Sequence, residues 1–523
     1  MKSEALSRFA DSHAIVIGAG IAGLAASARL AHAGLKVTVL ERHSAPGGRM
    51  RTLPSVAGPI DAGPTVLTMR GVFDDLFRDL GARLDDHVTL NRQHCLARHF
   101  WPDGSTLDLF DNEDQSAEAI HKFAGARGAE QFRAFSARAR RLFDGFDAPM
   151  MQAPCPSLPG LALHVATRPW LIPAMAPTRT LAQLLERSFD DPRLSQLFGR
   201  YATYVGGAPS QVPALLSLIW QAEAAGVWAV EGGMHELARA VEALAISEGV
   251  EFHYDSHVSE IMVENGRAIG VRLADGRAHH SETILFNGDP RALATGALGR
   301  DTTCVAPQTN TIPRSLSAQV WTFAATPKGP DLAYHNVFFR DDPKPEFDAI
   351  GEGRLVPDPT LYICAQDRGT GAPTPTIERF EIISNAAALT DAKTPEEFSQ
   401  CQTRTFRTLA NFGLSFDPLP QAKALTTPLG FNTLFPATAG SLYGQSPHGT
   451  TAAFQRPTAR TPLKGLYLAG GGAHPGAGVP MATLSARHAA EAIVSDRTSM
   501  SPSRRTVTRG GTSTGSVKLA GDP

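Results

Sequence analysis

Apolar residues recur along this chain with two different periods, and each change of period marks an element. Ala14-Ile15-Val16-Ile17 is a continuous apolar run, the pattern of a strand covered on both faces. Gly18-Ala19-Gly20-Ile21-Ala22-Gly23 follows, and residues 24–32 then predict a helix. Gly34 stands where that helix must stop, and the valine-rich stretch 36–40 reads as a second strand. From about residue 96 the pattern changes. Residues 100–107 predict a hairpin turning at Asp103-Gly104, and a charge-rich helical pattern runs on to about Phe146. Behind Gly232-Gly233, the residues Met234, Leu237, Ala238, Val241, Leu244 and Ala245 recur at helical spacing, and Gly249 ends the run. Residues 251–254 predict a strand, Asn265-Gly266 a tight turn between strands 259–264 and 268–273, and 283–287 another strand. A last strand, 465–469, leads into the glycine-rich turn 470–478 and a helix from about 479 to 495. Residues 300–455 hold many prolines and no period that assigns them.

Residues 148–177 stand apart, with one charge, Arg168, among seven prolines, three methionines and Trp170. Internal prolines forbid one long helix, and the stretch is too apolar for a solvated linker. It either folds over the core or meets a membrane. No charge-free, strongly apolar run of about 18 residues appears, so no spanning helix is expected. The apolar run 14–28 imitates a signal peptide, but Glu4 and Asp11 spoil a basic leader and the strand-turn-helix reading accounts for it.

Composition then narrows the class. Hydrophobic residues make up 42% and charged residues 19% of the 523, which suits a packed protein of several domain-sized units. A net charge of −2 gives no electrostatic case for nucleic acid. Cys95, Cys155, Cys304, Cys364 and Cys401 show neither zinc spacing nor a disulfide framework, so reduced cysteines and no metal are expected. No GxSxG elbow supports a serine hydrolase.

The sharpest chemical signal is Gly18-Ala19-Gly20-Ile21-Ala22-Gly23 between strand and helix, with Glu41 closing the next strand. Gly18 allows the tight turn, Gly20 lets backbone approach a pyrophosphate, and Gly23 lets helix and strand pack closely; Glu41 is placed for a ribose. The helix N-terminus completes a dinucleotide site. Gly47-Gly48-Arg49 and Asp61-Ala62-Gly63-Pro64-Thr65 come next, a pair that resembles flavoproteins of the amine oxidase type; the resemblance implies that Arg49 meets the diphosphate, and a surface cation is the alternative. At the far end, the strand entering Gly470-Gly471-Gly472-Ala473-His474-Pro475-Gly476 precedes a helix whose first amides, from Val479, are open to a negatively charged group; the resemblance to flavoproteins implies that they face flavin oxygens where charge gathers on reduction. His474 in that turn and His235 beside Gly233 are weak candidates for a proton acceptor. The plainer alternative is that His474 completes the turn and His235 tops an exposed helix turn.

These motifs, with the runs PGGRMRTLPS, GPTVLTM, LFGRYATYVGG, QAEAAGVW and FNGDPRALATGALG, resemble the carotenoid desaturases, a branch of the FAD-dependent, amine-oxidase-like flavoproteins. The likeness spans residues 14 to about 493, less securely over 300–455. It implies an α/β fold in which a Rossmann-type FAD-binding domain, of the two-dinucleotide-binding-domain kind found in amine oxidases and glutathione reductase, is interleaved with a mixed-sheet and helical substrate domain. The expected segments are 1–95, 228–298 and 456–497 for FAD binding, 96–227 and 299–455 for substrate and membrane association, and 498–523 as a disordered tail. The resemblance extends the cofactor set to Ala19, Arg42, Gly48, Gly63, Val258, Gly470, Gly471, Val479, Pro480 and Met481, holding FAD non-covalently. It implies a substrate that is an acyclic carotenoid carrying a hydroxyl or methoxyl at carbon 1, desaturated between carbons 3 and 4, with quinone or oxygen taking the electrons. A cytoplasmic enzyme attached peripherally to the inner membrane is expected. Phytoene desaturation, flavin-dependent isomerisation without net redox change, and a non-catalytic lipid carrier remain open on the same scaffold. The proline-rich stretch 148–177 and residues 214–220 are candidates to line a substrate tunnel, with core packing as the alternative.

Overall fold

A computed structural model describes residues 12–389 and 398–500; most of the expected tail, from 501 on, lies outside the described residues. β1 (His13–Ile17), α1 (Ile21–His32) and β2 (Lys36–Leu40) form the expected βαβ start. α1 is rich in alanine because it has no free face: ten of its 12 residues are buried, against the sheet, the helix Met234–Ser247 and the helix Val479–Met500. β1 and β2 lie in a five-stranded, all-parallel sheet in the order Leu466–Leu468, Ile284–Phe286, β1, β2, Glu251–His253. Both faces are covered, which is why its strands read as continuous apolar runs. The Asn265-Gly266 turn joins Val258–Glu264 to Arg267–Leu273 with positive φ at both residues (50° and 72°), as a two-residue hairpin demands.

The stretch without a readable period builds most of an eight-stranded sheet. Its order is Ser415–Asp417, Ser317–Lys328, Glu378–Ala386, Leu361–Ala365, His335–Phe338, Cys95–Phe100, Thr106–Phe110, with Leu425–Thr426 also paired to Ser317–Lys328. The first seven residues of Ser317–Lys328 are all buried, so alternation has nothing to mark. One face carries Trp321, Phe323, Phe380, Ile382, Leu361 and Ile363 in a common apolar cluster. The other face, where Tyr362 bonds Thr65, is partly polar. Thr322, Glu381, Cys364 and His335 are direct cross-strand neighbours there, flanked by Tyr362 and Val337.

Helices cap this second sheet. Glu113–Phe146 starts at Asn112, whose side chain accepts from the Gln115 amide at 3.0 Å, and breaks at Gly125, where φ is 78°. The proline-rich stretch after it forms short pieces, including Leu158–Ala166 and Leu171–Met175. Leu171 and Ala174 pack onto Leu142 and Phe146, but Leu163, Trp170, Leu158 and Ile172 stay 67%, 58%, 54% and 47% exposed. The segment thus folds over the core with one side and leaves four large apolar side chains exposed on the other. Residues 214–220 pack mainly inward: Trp220 is fully buried and donates its indole N–H to the Ser136 hydroxyl at 2.9 Å. The last helix runs five residues beyond the expected end, to Met500.

Candidate active site

The site is built where chain segments approach backbone to backbone. α1 begins at Gly20, extended and without a side-chain cap, so its first amides are open to an anion. A Cβ on Gly23 would sit 2.0 Å from the Gly18 carbonyl oxygen, and one on Gly63 would sit 1.9 Å from the Arg49 carbonyl oxygen. Gly47 donates its N–H to the Ala19 carbonyl at 2.8 Å, and Gly48 lies with its φ at 59° against Gly20. The GGR turn and the DAGPT stretch are therefore stacked beside the helix start. Asn287 braces the loop from the other side, donating to the Gly18 and Gly20 carbonyls at 3.2 and 3.3 Å and touching Gly470.

Glu41 is buried and spends two acceptor positions on the chain, taking the Ala19 amide at 2.6 Å and the His43 amide at 2.8 Å. A carboxylate has about four such positions, so two remain for ribose hydroxyls. Arg49 has the environment an anionic group fits: its Nε is buried with no partner, and its Nη2 makes one long bond of 3.4 Å to the Ser441 carbonyl. Burial pulls its pKa down, which a bound diphosphate would oppose. The cradle accordingly suits FAD, which the α1 amides, Glu41 and Arg49 would hold. Val258 is buried and packs in the cluster around the parallel sheet's Ile15 and Leu40, close to Glu41, whereas Arg42 points into solvent. Gly470 and Gly471 lie in the glycine turn and Val479, Pro480 and Met481 open the last helix; the buried Arg456 holds the turn, donating to the carbonyls of Gly471 (2.8 Å), Tyr443 (3.0 Å) and Gln445 (3.3 Å).

The two histidines fare differently. His474 donates Nε2–H to the Ala153 carbonyl at 2.8 Å and stacks on His488, which donates to Met151 at 3.1 Å. That pair ties the 148–177 segment to the glycine turn. His235 does not top an exposed turn: it is 9% exposed, with no partner for Nε2. Its burial follows from Asp61, whose carboxylate accepts the Met234 and His235 amides at 2.5 and 3.2 Å and so pulls the helix start inward. Gln366 clamps the backbone of Asp61 from the eight-stranded sheet, at 3.0 and 3.1 Å.

Arg49, Arg200, Tyr204, Tyr362 and Tyr443 are half-buried. Glu381 is fully buried with neither oxygen partnered; burial and the neighbouring Asp61 push its pKa well up, against Arg51. Asp61, Asn287, Arg456, Glu381 and Tyr362 were missed as site residues. Asp61 and Asn287 stood inside motifs already singled out, as the first residue of DAGPT and the second of FNGDP. Glu381 and Tyr362 lie on strands that showed no period. Among the described residues no group of three or more His, Cys, Asp or Glu could hold a metal.

A family model described as flavin containing amine oxidoreductase matches residues 21–494. The hydroxyneurosporene desaturase of Cereibacter sphaeroides is 56% identical over 93% of this chain and 98% of its own length. That of Rhodobacter capsulatus is 52% identical over 94% and 99%. In structure, the cyclohexylamine oxidase of Brevibacterium oxydans aligns with a TM-score of 0.53 at 17% identity, over 93% of this chain and 99% of that one.

The buried Asp61 makes a pH prediction. Burial raises its pKa from 3.8 to about 6, so the fold favours the neutral carboxyl. The sign follows: stability from this group is complete below about pH 4 and is lost as pH rises through 6, to a total of about 3 kcal/mol. In urea titrations, the stability of the wild type relative to Asp61→Asn should fall between pH 4 and 6.5 and then level off. A difference that stays flat over that range contradicts the assignment.

Proposed function

The chain belongs to the flavin-containing amine oxidoreductase family, and from that premise we propose that it is a carotenoid desaturase converting the C3–C4 single bond of an acyclic 1-hydroxy or 1-methoxy carotenoid into a double bond. The observation that carries the reading is the end-to-end likeness to the two hydroxyneurosporene desaturases, joined to a flavin cradle with its close glycine contacts intact. What FAD supplies when bound is hydride acceptance from the allylic carbon 4. The substrate spreads the remaining positive charge over its polyene while carbon 3 releases a proton. The protein's own task is to hold the bond in near-attack geometry and keep water out, which requires no conspicuous acid–base pair.

The α1 amides would hold the diphosphate, Glu41 the ribose, and the start of the helix Val479–Met500 the ring oxygens. Arg49 would add its charge beside them. Quinone or oxygen would take the electrons afterwards. The identities of substrate and product provide the direct test. 1-Hydroxyneurosporene should be turned over with a mass loss of two hydrogens, and faster than neurosporene or phytoene under the same conditions. Equal rates on all three would move the chain to a phytoene-desaturase activity, and a product of unchanged mass to an isomerase.

The substrate is too apolar to dissolve, and a surface that gathers it from a bilayer accompanies the reading. No helix among the described residues is long and apolar enough to cross a membrane. Leu158, Leu163, Trp170 and Ile172 instead offer an exposed apolar row suited to lie in the interface, on the cytoplasmic face of the inner membrane. The same segment is bonded through Ala153 to the glycine turn and through Met151 to the helix that follows it. Replacing Leu163 and Trp170 together by Glu should cut co-sedimentation with liposomes about tenfold, since about 1.4 kcal/mol of lost burial suffices for that. Unchanged liposome binding in the double variant would exclude this surface.

A further inference from the structure

The proposed substrate constrains where its oxygen can lie. Carbon 1 is two bonds from carbon 3 and three from carbon 4, so its oxygen stands only roughly 5 Å from the reacting carbon at ordinary bond lengths. A group that reads this oxygen must therefore sit beside the cofactor cradle, and the distant end of a long tunnel cannot do it.

One buried hydrogen-bonded chain meets that condition. Thr65 lies two residues beyond Gly63, whose backbone rests on the Arg49 turn. Its hydroxyl bonds the Tyr362 hydroxyl at 2.8 Å, and Tyr362 bonds His335 Nδ1 at 2.6 Å. Thr65 and His335 are 3% and 2% exposed, while Tyr362 is half-buried. The three come from the cradle side and from two neighbouring strands of the eight-stranded sheet, so the chain crosses from one half of the site to the other. His335 Nε2 has no partner. Nothing in the FAD contacts described above uses these side chains. Buried polar groups of this number are costly unless they bind something or brace the fold.

We propose that Thr65, Tyr362 and His335 form the site that binds the oxygen on carbon 1 and selects an oxygenated carotenoid end over a bare hydrocarbon one. The inference rests on the desaturase reading. A neutral chain of this composition can be polarised either way. With Thr65 donating to Tyr362 and Tyr362 to His335, the Thr65 oxygen accepts a hydrogen bond from a substrate alcohol. With His335 donating to Tyr362 and Tyr362 to Thr65, the Thr65 hydroxyl donates to the oxygen of an alcohol or of a methyl ether, which can only accept. Burial and the nearby Arg200 push the His335 pKa down to about 3, so the imidazole stays neutral and both polarities are available at neutral pH. One site would thus take both the hydroxylated and the methoxylated end.

The test is competition between 1-hydroxyneurosporene and neurosporene in the FAD-loaded full chain, read as the ratio of kcat/KM. Tyr362→Phe and Thr65→Val should each lower that ratio, by roughly 5- to 150-fold, because the lost partner is worth about 1–3 kcal/mol. Thr65→Ser, which keeps the hydroxyl, should restore it. If Tyr362→Phe fails to hold flavin, the Thr65→Val and Thr65→Ser pair decides alone. A wild-type ratio preserved in flavin-loaded Thr65→Val overturns the site. A wild type with no preference for the oxygenated substrate would overturn the desaturase reading itself, a separate result.

Discussion

Backbone meets backbone at three glycines, and the rest of the site is arranged around those contacts. Gly23 brings α1 onto the loop after β1, Gly20 receives the turn at Gly47 and Gly48, and Gly63 lays the DAGPT stretch on Arg49. Side chains at these places would overlap carbonyl oxygens about 2 Å away at Gly23 and Gly63, far inside contact distance. The stacking leaves the first amides of α1 open and brings the Gly47-Gly48-Arg49 turn against the helix start. A dinucleotide needs all of these at once, because the diphosphate approaches backbone and not side chains.

The second constraint is the two-sidedness of the eight-stranded sheet. Its aromatic face packs Phe323, Phe380 and Phe416 together, while the opposite face presents Glu381, Tyr362 and His335 toward the cradle. Covering both faces makes the strands rigid and lets buried polar groups be held at fixed positions. Asp61 links the halves: its carboxylate organises the helix Met234–Ser247, and its backbone is held by Gln366 of the sheet.

The parallel sheet, the Asn-Gly hairpin and the glycine turns were legible in the sequence, since each depends on contacts among residues near in the chain or on a backbone shape only glycine takes freely. Residues 300–455 were not. Ser317–Lys328 begins with seven buried residues in succession, so a period of two never appears, and Glu381 in a buried strand breaks the apolar pattern without announcing a site. His235 shows the same limit from the other direction. Its helix position alone suggested exposure, and a carboxylate 174 residues earlier in the chain draws it inside. The 148–177 stretch was recognised as unusual by composition, but which of its apolar groups face outward depends on how it folds back onto Leu142 and Phe146, which composition does not show.

The central claim is that electrons from the carotenoid pass to a flavin held in this cradle. Anaerobic single turnover tests it most directly: the FAD-loaded chain is mixed with 1-hydroxyneurosporene in liposomes and followed spectrally. The account predicts loss of the oxidised flavin band matched one-to-one with the product that has one more conjugated double bond, and return of the band when oxygen or quinone is added. Product formed anaerobically while the flavin stays oxidised would contradict it.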